Sequence, residues 1–283
     1  MRRLLKLAAA VAAAGVIVWF AAVALGEERD EPVTTSVAAQ PRPARPLRIV
    51  FPEGFTRKQM AERITAVDEI ARDSRGVDPV LSAEKYLEAT ARSRLPGRFA
   101  RDGRSRHLEG FLFPATYEFR RRTTSAQLVR QQLRAFRRNW RRVGLGYARS
   151  KNLTSYDVLI IASMIEEEVV APEERRLVAA VIYNRLRARM QLGIDATIRY
   201  ALDVPPTESL RVSHLRHPTP YNTRMHTGLP PTPITNPGLA SMRAAAHPAK
   251  VDYLYFVRKP DKVHHFFTAS KQEFEDYKAA HGY

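Results

Sequence analysis

The sequence predicts an α+β protein carried on an N-terminal transmembrane helix, with a small first module ahead of a larger mixed α/β domain. Three observations predict it. Residues 7–26 carry no charge and are dominated by Ala, Val, Leu and Ile, which meets the roughly 20 residues a hydrocarbon core demands. Leu47, Ile49 and Phe51 alternate as a short strand ahead of a helix-period pattern. Beyond residue 108, long helical patterns give way to a strand-like run at residues 253–257, so one domain mixes both element types.

Arg2, Arg3 and Lys6 precede the apolar run and Glu27 and Glu28 follow it. The positive-inside bias therefore puts the N-terminus in the cytoplasm and the rest outside. A cleaved signal peptide is the alternative, with Ala22-Val23-Ala24 as its small-x-small site. The run exceeds the ~7 to 15 residues of a signal core, which favours a retained anchor. Both readings export the domain. With no cysteine in the chain, a disulfide framework, a thiol nucleophile and a thiolate metal site are all excluded. Lys and Arg outnumber Asp and Glu 46 to 29, for a net charge of +17. Nucleic acid is the partner such charge invites. An exported domain instead meets anionic lipid and wall polymers, so no nucleic-acid partner is expected, and the arginines between Arg92 and Arg149 read as a solvated basic face near a negative membrane.

Residues 27–46 are Pro- and Ala-rich without apolar periodicity and read as a linker. The first module, residues 47–107, opens with the strand, turns at Pro52-Glu53-Gly54, and continues in a helix capped by Thr56 and bearing Met60, Ile64 and Val67. A second helix starts at Ser82 with Tyr86 and Leu87 inward, and a Gly- and Arg-rich stretch at 94–106 closes the module. The second domain, residues 108–283, begins with large apolar residues at 109–114 and a long polar helix over 125–142 carrying Leu128, Leu133 and Phe136. Thr154 and Asp157 have capping-box spacing. The helix that follows, 158–169, is apolar on nearly every side and so is predicted to be central and buried. Glu166, Glu167 and Glu168 occupy its last turn, and Pro172 separates it from a helix bearing Val178, Val181, Ile182 and Leu186. A Pro-rich loop covers 218–237, and there is no internal repeat.

Carboxylates in the C-terminal turn of an apolar helix are disfavoured by the helix dipole and by burial, and both raise the pKa. A carboxylic acid protonated near neutral pH can act as general acid at a glycosidic oxygen. Residues ~100° apart on a helix place Glu166 and Glu168 on nearly opposite sides, so they cannot form the facing pair of a two-carboxylate glycosidase. Glu168, nearest the break at Ala171-Pro172, is the better candidate. The plain alternative makes these glutamates an exposed helix end partnering Arg175 and Arg176.

Ile165-Glu166-Glu167-Glu168, Glu174, Asn184-Arg185-Leu186, and Leu192 with Asp195-Ala196-Thr197 resemble the signature of the endolytic murein transglycosylase, or YceG-like, family. Further blocks agree in order. They are Glu109 to Tyr117, Tyr221-Asn222-Thr223, Gly228-Leu229-Pro230-Pro231, Asn236-Pro237-Gly238, residues 244–248, and residues 253–257 ahead of His265-Phe266-Phe267. The resemblance covers residues 109–270. It implies a single-pass anchor in the bacterial cytoplasmic membrane, a LysM-like module at residues 47–107, and a YceG-like catalytic domain that cuts nascent glycan strands internally. The second glutamate of its Glu-x-Glu motif, here Glu168, would be catalytic. Peptidoglycan strands would be the substrate and peptidoglycan synthases the partner class. Departures are Ala115 and Ala196 where the family has Asp and Pro, Gly193 for Gln, Arg224 for Tyr, and Val263-His264 for glycines.

With Glu168 as catalyst, the expected substrate-binding residues are Glu166, Asp195, Thr197, Tyr221, Asn222, Thr223, Asn236 and His265. Asp195 and Thr197 could instead organise a turn, and Asn222 and Asn236 could hold the Pro-rich loop. His214, His217, His226 and His247 share no ligand spacing, so neither metal nor cofactor is expected. The expected reaction is a lyase cleavage between N-acetylmuramic acid and N-acetylglucosamine, leaving 1,6-anhydro ends. The rivals are a hydrolytic muramidase using a second carboxylate such as Asp195, and a non-catalytic wall-binding scaffold.

Overall fold

The computed structural model describes residues 46–91, 95–97, 99 and 107–283. The expected anchor at 7–26 and the linker up to residue 45 lie outside the described residues, and among those described no helix is long and apolar enough to cross a membrane. Residues 45–283 form one compact unit.

The first strand, β1 (Leu47–Val50), buries Ile49 and leads into a turn at Gly54, whose φ of +82° suits glycine. Helix α1 (Arg57–Arg75) starts at Thr56, whose hydroxyl accepts from Gln59 N while the Gln59 side chain accepts from Thr56 N, and it stops at Gly76 in the left-handed region. Both ends follow from cap chemistry. Helix α2 (Ala83–Ala91) packs on α1, with Met60, Ile64 and Tyr86 fully buried between them. The unit does not close at residue 107 as the sequence led us to expect. Its sheet is completed by β2 (Thr116–Phe119), antiparallel to β1 with Leu47 opposite Phe119. The strand comes from the block expected to open the second domain, and one apolar core runs through both parts.

Helix α3 (Ser125–Trp140) is strongly amphipathic; it buries Leu128, Val129, Gln132, Ala135, Phe136 and Trp140, and Phe136 and Trp140 meet Phe99 and Phe111. After the short α4 (Gly146–Ser150), helix α5 (Ser155–Glu168) begins with the expected reciprocal cap, Thr154 N donating to the Asp157 carboxylate at 2.9 Å and Asp157 N to the Thr154 hydroxyl at 3.1 Å. Every residue from Tyr156 to Ile165 is buried. A 3-10 turn at Pro172–Glu174 leads into α6 (Arg175–Arg187). Then come α7 (Asp195–Leu202), α8 (Val212–Leu215) and α9 (Leu239–Ala246), which packs along α5. The chain ends in a hairpin, β3 (Tyr255–Arg258) with β4 (His265–Thr268), covered by α10 (Lys271–His281).

The Pro-rich loop is tied to the first module by Asn236. Its amide donates to Phe55 O and a Glu109 carboxylate oxygen, both at 2.8 Å, while its oxygen accepts from Leu112 N at 2.9 Å. Beside it, Gly110 has φ +86°, and a Cβ there would sit 2.7 Å from Pro233. Gly110→Ala is therefore expected to cost about 2 kcal/mol or more. Gly146→Ala, with open space around it at the start of α4, should be neutral or stabilising by about 0.5 kcal/mol. Urea unfolding of the two variants beside the parent checks both.

Candidate active site

Because α5 is buried on all sides, its carboxylates can reach solvent only where the helix ends. Val169 is already extended, and Glu168 is the last helical residue. Glu168 lies half-buried in a cleft of about 720 Å³ bounded by the start of α7, the β3–β4 hairpin and α10. Desolvation pushes its pKa up to about 7; Arg258 opposes the rise, Asp195 adds to it and Arg224 opposes it. The Arg258 guanidinium donates to the Glu168 backbone carbonyl at 3.1 Å, and Arg224 Nε lies 2.6 Å from Asp195 Oδ1. The Glu168 carboxyl oxygens make no hydrogen bond among the described residues.

The cleft does not stop there. Glu167, Ala196, Arg199 and Pro206 also line a second stretch of about 510 Å³, whose far wall is Thr56, Arg57 and Lys58 of the first module. On the other side Arg185, Gly193, Arg224 and Tyr255 are shared with a third stretch of about 600 Å³ reaching Arg189 and Gln191. The three form an open trough with Glu168 near its middle.

The expected site residues divide. Glu168, Asp195 and His265 line the cleft. Glu166 diverges from Glu168 as helical spacing requires, and its carboxylate accepts from Gly238 N at 2.8 Å, capping α9 rather than facing the cleft. Thr197 and Thr223 are buried; Thr223 accepts from Ile194 N at 2.9 Å and Thr197 donates to Ile194 O at 2.7 Å, which fixes the start of α7 and hence Asp195. Asp195 and Thr197 thus open a helix rather than organise a turn. Asn222, fully buried, donates to Leu215 O and His217 O and accepts from Arg224 N at 3.1 Å, so it sets the segment that presents Arg224. The Tyr221 hydroxyl bonds Thr232 at 2.8 Å, and its ring meets Tyr200. Asn236 is spent on the loop contacts above. These six therefore support the cleft from behind: the side chains of Thr197, Tyr221, Asn222, Thr223 and Asn236 are engaged by protein partners, and Glu166 is turned to the start of α9. His265 is buried, with Nδ1 2.6 Å from a Glu174 carboxylate that also accepts from His265 N; this pair holds the hairpin against the start of α6.

Sequence reasoning passed over Glu167, Glu109, Arg224 and Arg258 as site residues. Glu167 enters the trough with its pKa pushed up to about 7 by burial, then by Glu166 and Glu168, against a Thr235 hydrogen bond. Its signal was its place beside Glu168. Arg224 was visible only as a departure from the family pattern. Nothing in the sequence brings Arg258 to a helix end 90 residues earlier. Glu109, buried and pushed up to about 8 by desolvation against Arg57, accepts from Arg57 N, Asn236 and Tyr200. Arg175 and Arg176, the alternative partners of the glutamates, are instead turned to Ser241 and His247 O. Among the described residues no three carboxylates or imidazoles converge as a metal site would need.

The Glu168 shift fixes a pH dependence of stability. Between the ordinary value of 4.5 and about 7, the folded protein keeps a proton that the unfolded chain has released, so this contribution to stability is full below 4.5 and lost as pH rises through 7. Glu168→Gln mimics the protonated form and should stabilise the protein at pH 8 by about 2–3 kcal/mol, the gain vanishing towards pH 4. Chemical denaturation across that range measures it, and equal stabilities at pH 8 would show that Glu168 is not desolvated.

Comparison with known proteins places this geometry. The sequence profile of the YceG-like family matches residues 30–280. The chain is 38% identical over 152 residues to the endolytic murein transglycosylase of Bacillus subtilis strain 168, covering 54% of this chain and 42% of that protein. It is 29% identical over 249 residues to the protein of the same name from Streptococcus pneumoniae strain R6, covering 82% and 44%. The chain thus spans less than half the length of these relatives. The crystal structure of a YceG-like protein from Listeria monocytogenes superposes with a TM-score of 0.67 at 29% identity, covering 82% of this chain and 76% of that one. With the profile matched over nearly its whole length and a mixed α+β fold shared with a solved relative, the chain belongs to the YceG-like family.

Proposed function

We propose that the protein is an endolytic murein transglycosylase, a lyase that cuts bonds between N-acetylmuramic acid and N-acetylglucosamine inside nascent peptidoglycan strands. One observation carries this reading: Glu168 is a half-buried carboxylic acid with a pKa near neutrality and unspent oxygens, midway along an open trough. A trough open on both sides of the acid suits a strand entered anywhere along its length.

Glu168 donates its proton to the leaving glycosidic oxygen as the bond to C1 breaks. The substrate's own acetamido oxygen relieves the positive charge at C1. The carboxylate then removes the proton from the C6 hydroxyl as that oxygen closes on C1, so the proton count balances and no water is consumed. A group that is acid and then base needs both forms within reach at working pH. Burial supplies the acid, while the Arg258 and Arg224 charges keep its anion accessible. The hydrolytic rival needs a free second carboxylate, and Asp195 is held by Arg224 at 2.6 Å.

In this reading residues 7–26 anchor the chain in the bacterial cytoplasmic membrane, N-terminus inside. The strand–helix–helix–strand unit is a LysM-like module that walls one end of the trough, and peptidoglycan synthases supply the strands.

Mass spectrometry of glycan strands digested by the chain lacking residues 1–26 tests the proposal. Products with anhydro ends, one water lighter than hydrolytic ones, are expected. Glu168→Gln should lower cleavage by at least about 100-fold, whereas Glu166→Gln should keep the chemistry and lose stability. The parent's rate should decline above about pH 7 as Glu168 loses its proton. Reducing ends would make the enzyme a muramidase, and no cleavage by folded parent would leave the scaffold reading.

A further inference from the structure

One strongly charged face is not used by this chemistry. Between Glu118 and Asp157 the chain carries ten arginines and Lys151 without a single carboxylate. All eleven are exposed, and none pairs with a carboxylate among the described residues. On α3, Arg130, Arg134, Arg137 and Arg138, with Arg141 just past its end, fall within about 100° of one another around the axis, opposite Leu128, Gln132 and Ala135. Like charges at this spacing repel and destabilise their helix. Surface charge elsewhere is treated differently, as where Arg72 of α1 lies between Asp68 and Asp78. The repulsion is uncompensated within the domain, so an external polyanion is the partner that offsets it.

The position of the face selects which polyanion. β1 begins opposite Phe119, so the chain arriving from residues 1–46 enters the domain beside Arg120, Arg121 and Arg122. The linker at 27–46 reaches at most about 70 Å when fully extended. On the anchor reading, a bilayer holding residues 7–26 would lie within that reach of these arginines.

We propose that this face docks on the anionic headgroups of the lipid surface that holds the apolar N-terminal run. The docking step rests on the anchor reading for its biological setting and goes beyond the cleavage reaction. The face and the cleft can be occupied together. The turn after α3 meets the end of α9, with Gly144 beside His247, whereas the start of α9 is held by Glu166 next to the catalytic turn. A docked domain thus leaves the trough open to its strand.

Residues 46–283 contain the whole described core in one compact unit, so this domain can be used without the apolar run, and its binding is read independently of anchoring and of cleavage. In flotation, it should bind phosphatidylcholine vesicles containing phosphatidylglycerol, not pure phosphatidylcholine vesicles, and release as salt rises. The quadruple variant R130Q/R134Q/R137Q/R138Q should bind at least about tenfold more weakly, with the double variants R130Q/R134Q and R137Q/R138Q in between. The control R63Q/R72Q/R75Q on α1 should bind like the parent. Binding to both vesicle types alike, binding equally reduced by the control, or capture by soluble polyphosphate with no flotation would overturn the proposal, the last in favour of an anionic polymer.

Discussion

The structure depends on the complete burial of α5. Ten consecutive buried residues, Tyr156 to Ile165, leave that helix no solvent face, so α9, α6 and the Pro-rich loop must close around it. Full enclosure satisfies the apolar side chains and leaves the polar ones one outlet, the C-terminal turn. Three glutamates are placed there, about 100° apart, and each meets a different surrounding. Glu166 meets the amide of Gly238 at the start of α9, Glu167 meets Thr235 at the edge of the cleft, and Glu168 meets the open cleft with no protein donor among the described residues. The helix that organises the core therefore also delivers the acid, and the desolvation that raises the Glu168 pKa is a by-product of the packing that stabilises the fold.

Around that acid, remote contacts fix near ones. The hydroxyls of Thr197 and Thr223, 3.2 Å apart, hold the first turn of α7 and so aim Asp195. Asn222 shapes the segment from which Arg224 reaches Asp195. The pair His265–Glu174 pins the hairpin that brings Arg258 to the end of α5. The Thr197–Thr223, Asn222–Arg224 N and His265–Glu174 links are buried or partly buried, where losing one partner strands the other at about 1–3 kcal/mol, whereas the Arg224–Asp195 and Arg258–Glu168 contacts they position are exposed. Their combined effect is electrostatic: two cations and one anion surround an acid whose pKa burial raises, the cations opposing that rise.

What could be read from the sequence followed the strength of local signals. α5 was legible because the reciprocal cap at Thr154 marks its start, and α3 because a long run reveals a period. The divergence of Glu166 and Glu168 was legible from helical geometry alone. Short elements were not. β2 has four residues and pairs with a strand some 70 positions earlier, so the first module looked complete at 107 when its sheet was not. α9 reads LASMRAAA, with too little contrast between polar and apolar positions to show a face. α10 buries nothing fully and leaves no stripe. Asn222, Asn236 and Thr223 attracted attention as polar residues in family blocks, and sequence cannot tell a polar group that meets a ligand from one that meets a backbone carbonyl across the fold.

That distinction separates two strongly perturbed acids among the described residues. Glu109 and Glu168 both have pKa values raised by desolvation, to about 8 and about 7. A raised pKa alone would nominate Glu109, the more strongly shifted. Its oxygens, however, accept from Arg57 N, the Asn236 amide and the Tyr200 hydroxyl, which satisfies a buried carboxyl and welds the first module to the α5 region. Both oxygens are engaged, so a substrate would have to compete with these contacts inside the core. Glu168 is shifted less, and its oxygens face an open trough and have no protein donor among the described residues. A reactive acid combines a poised proton with unspent coordination. By that criterion buried Glu109 serves the architecture and half-buried Glu168 is the acid left available for the proposed chemistry, although both sit in blocks that resemble the same family.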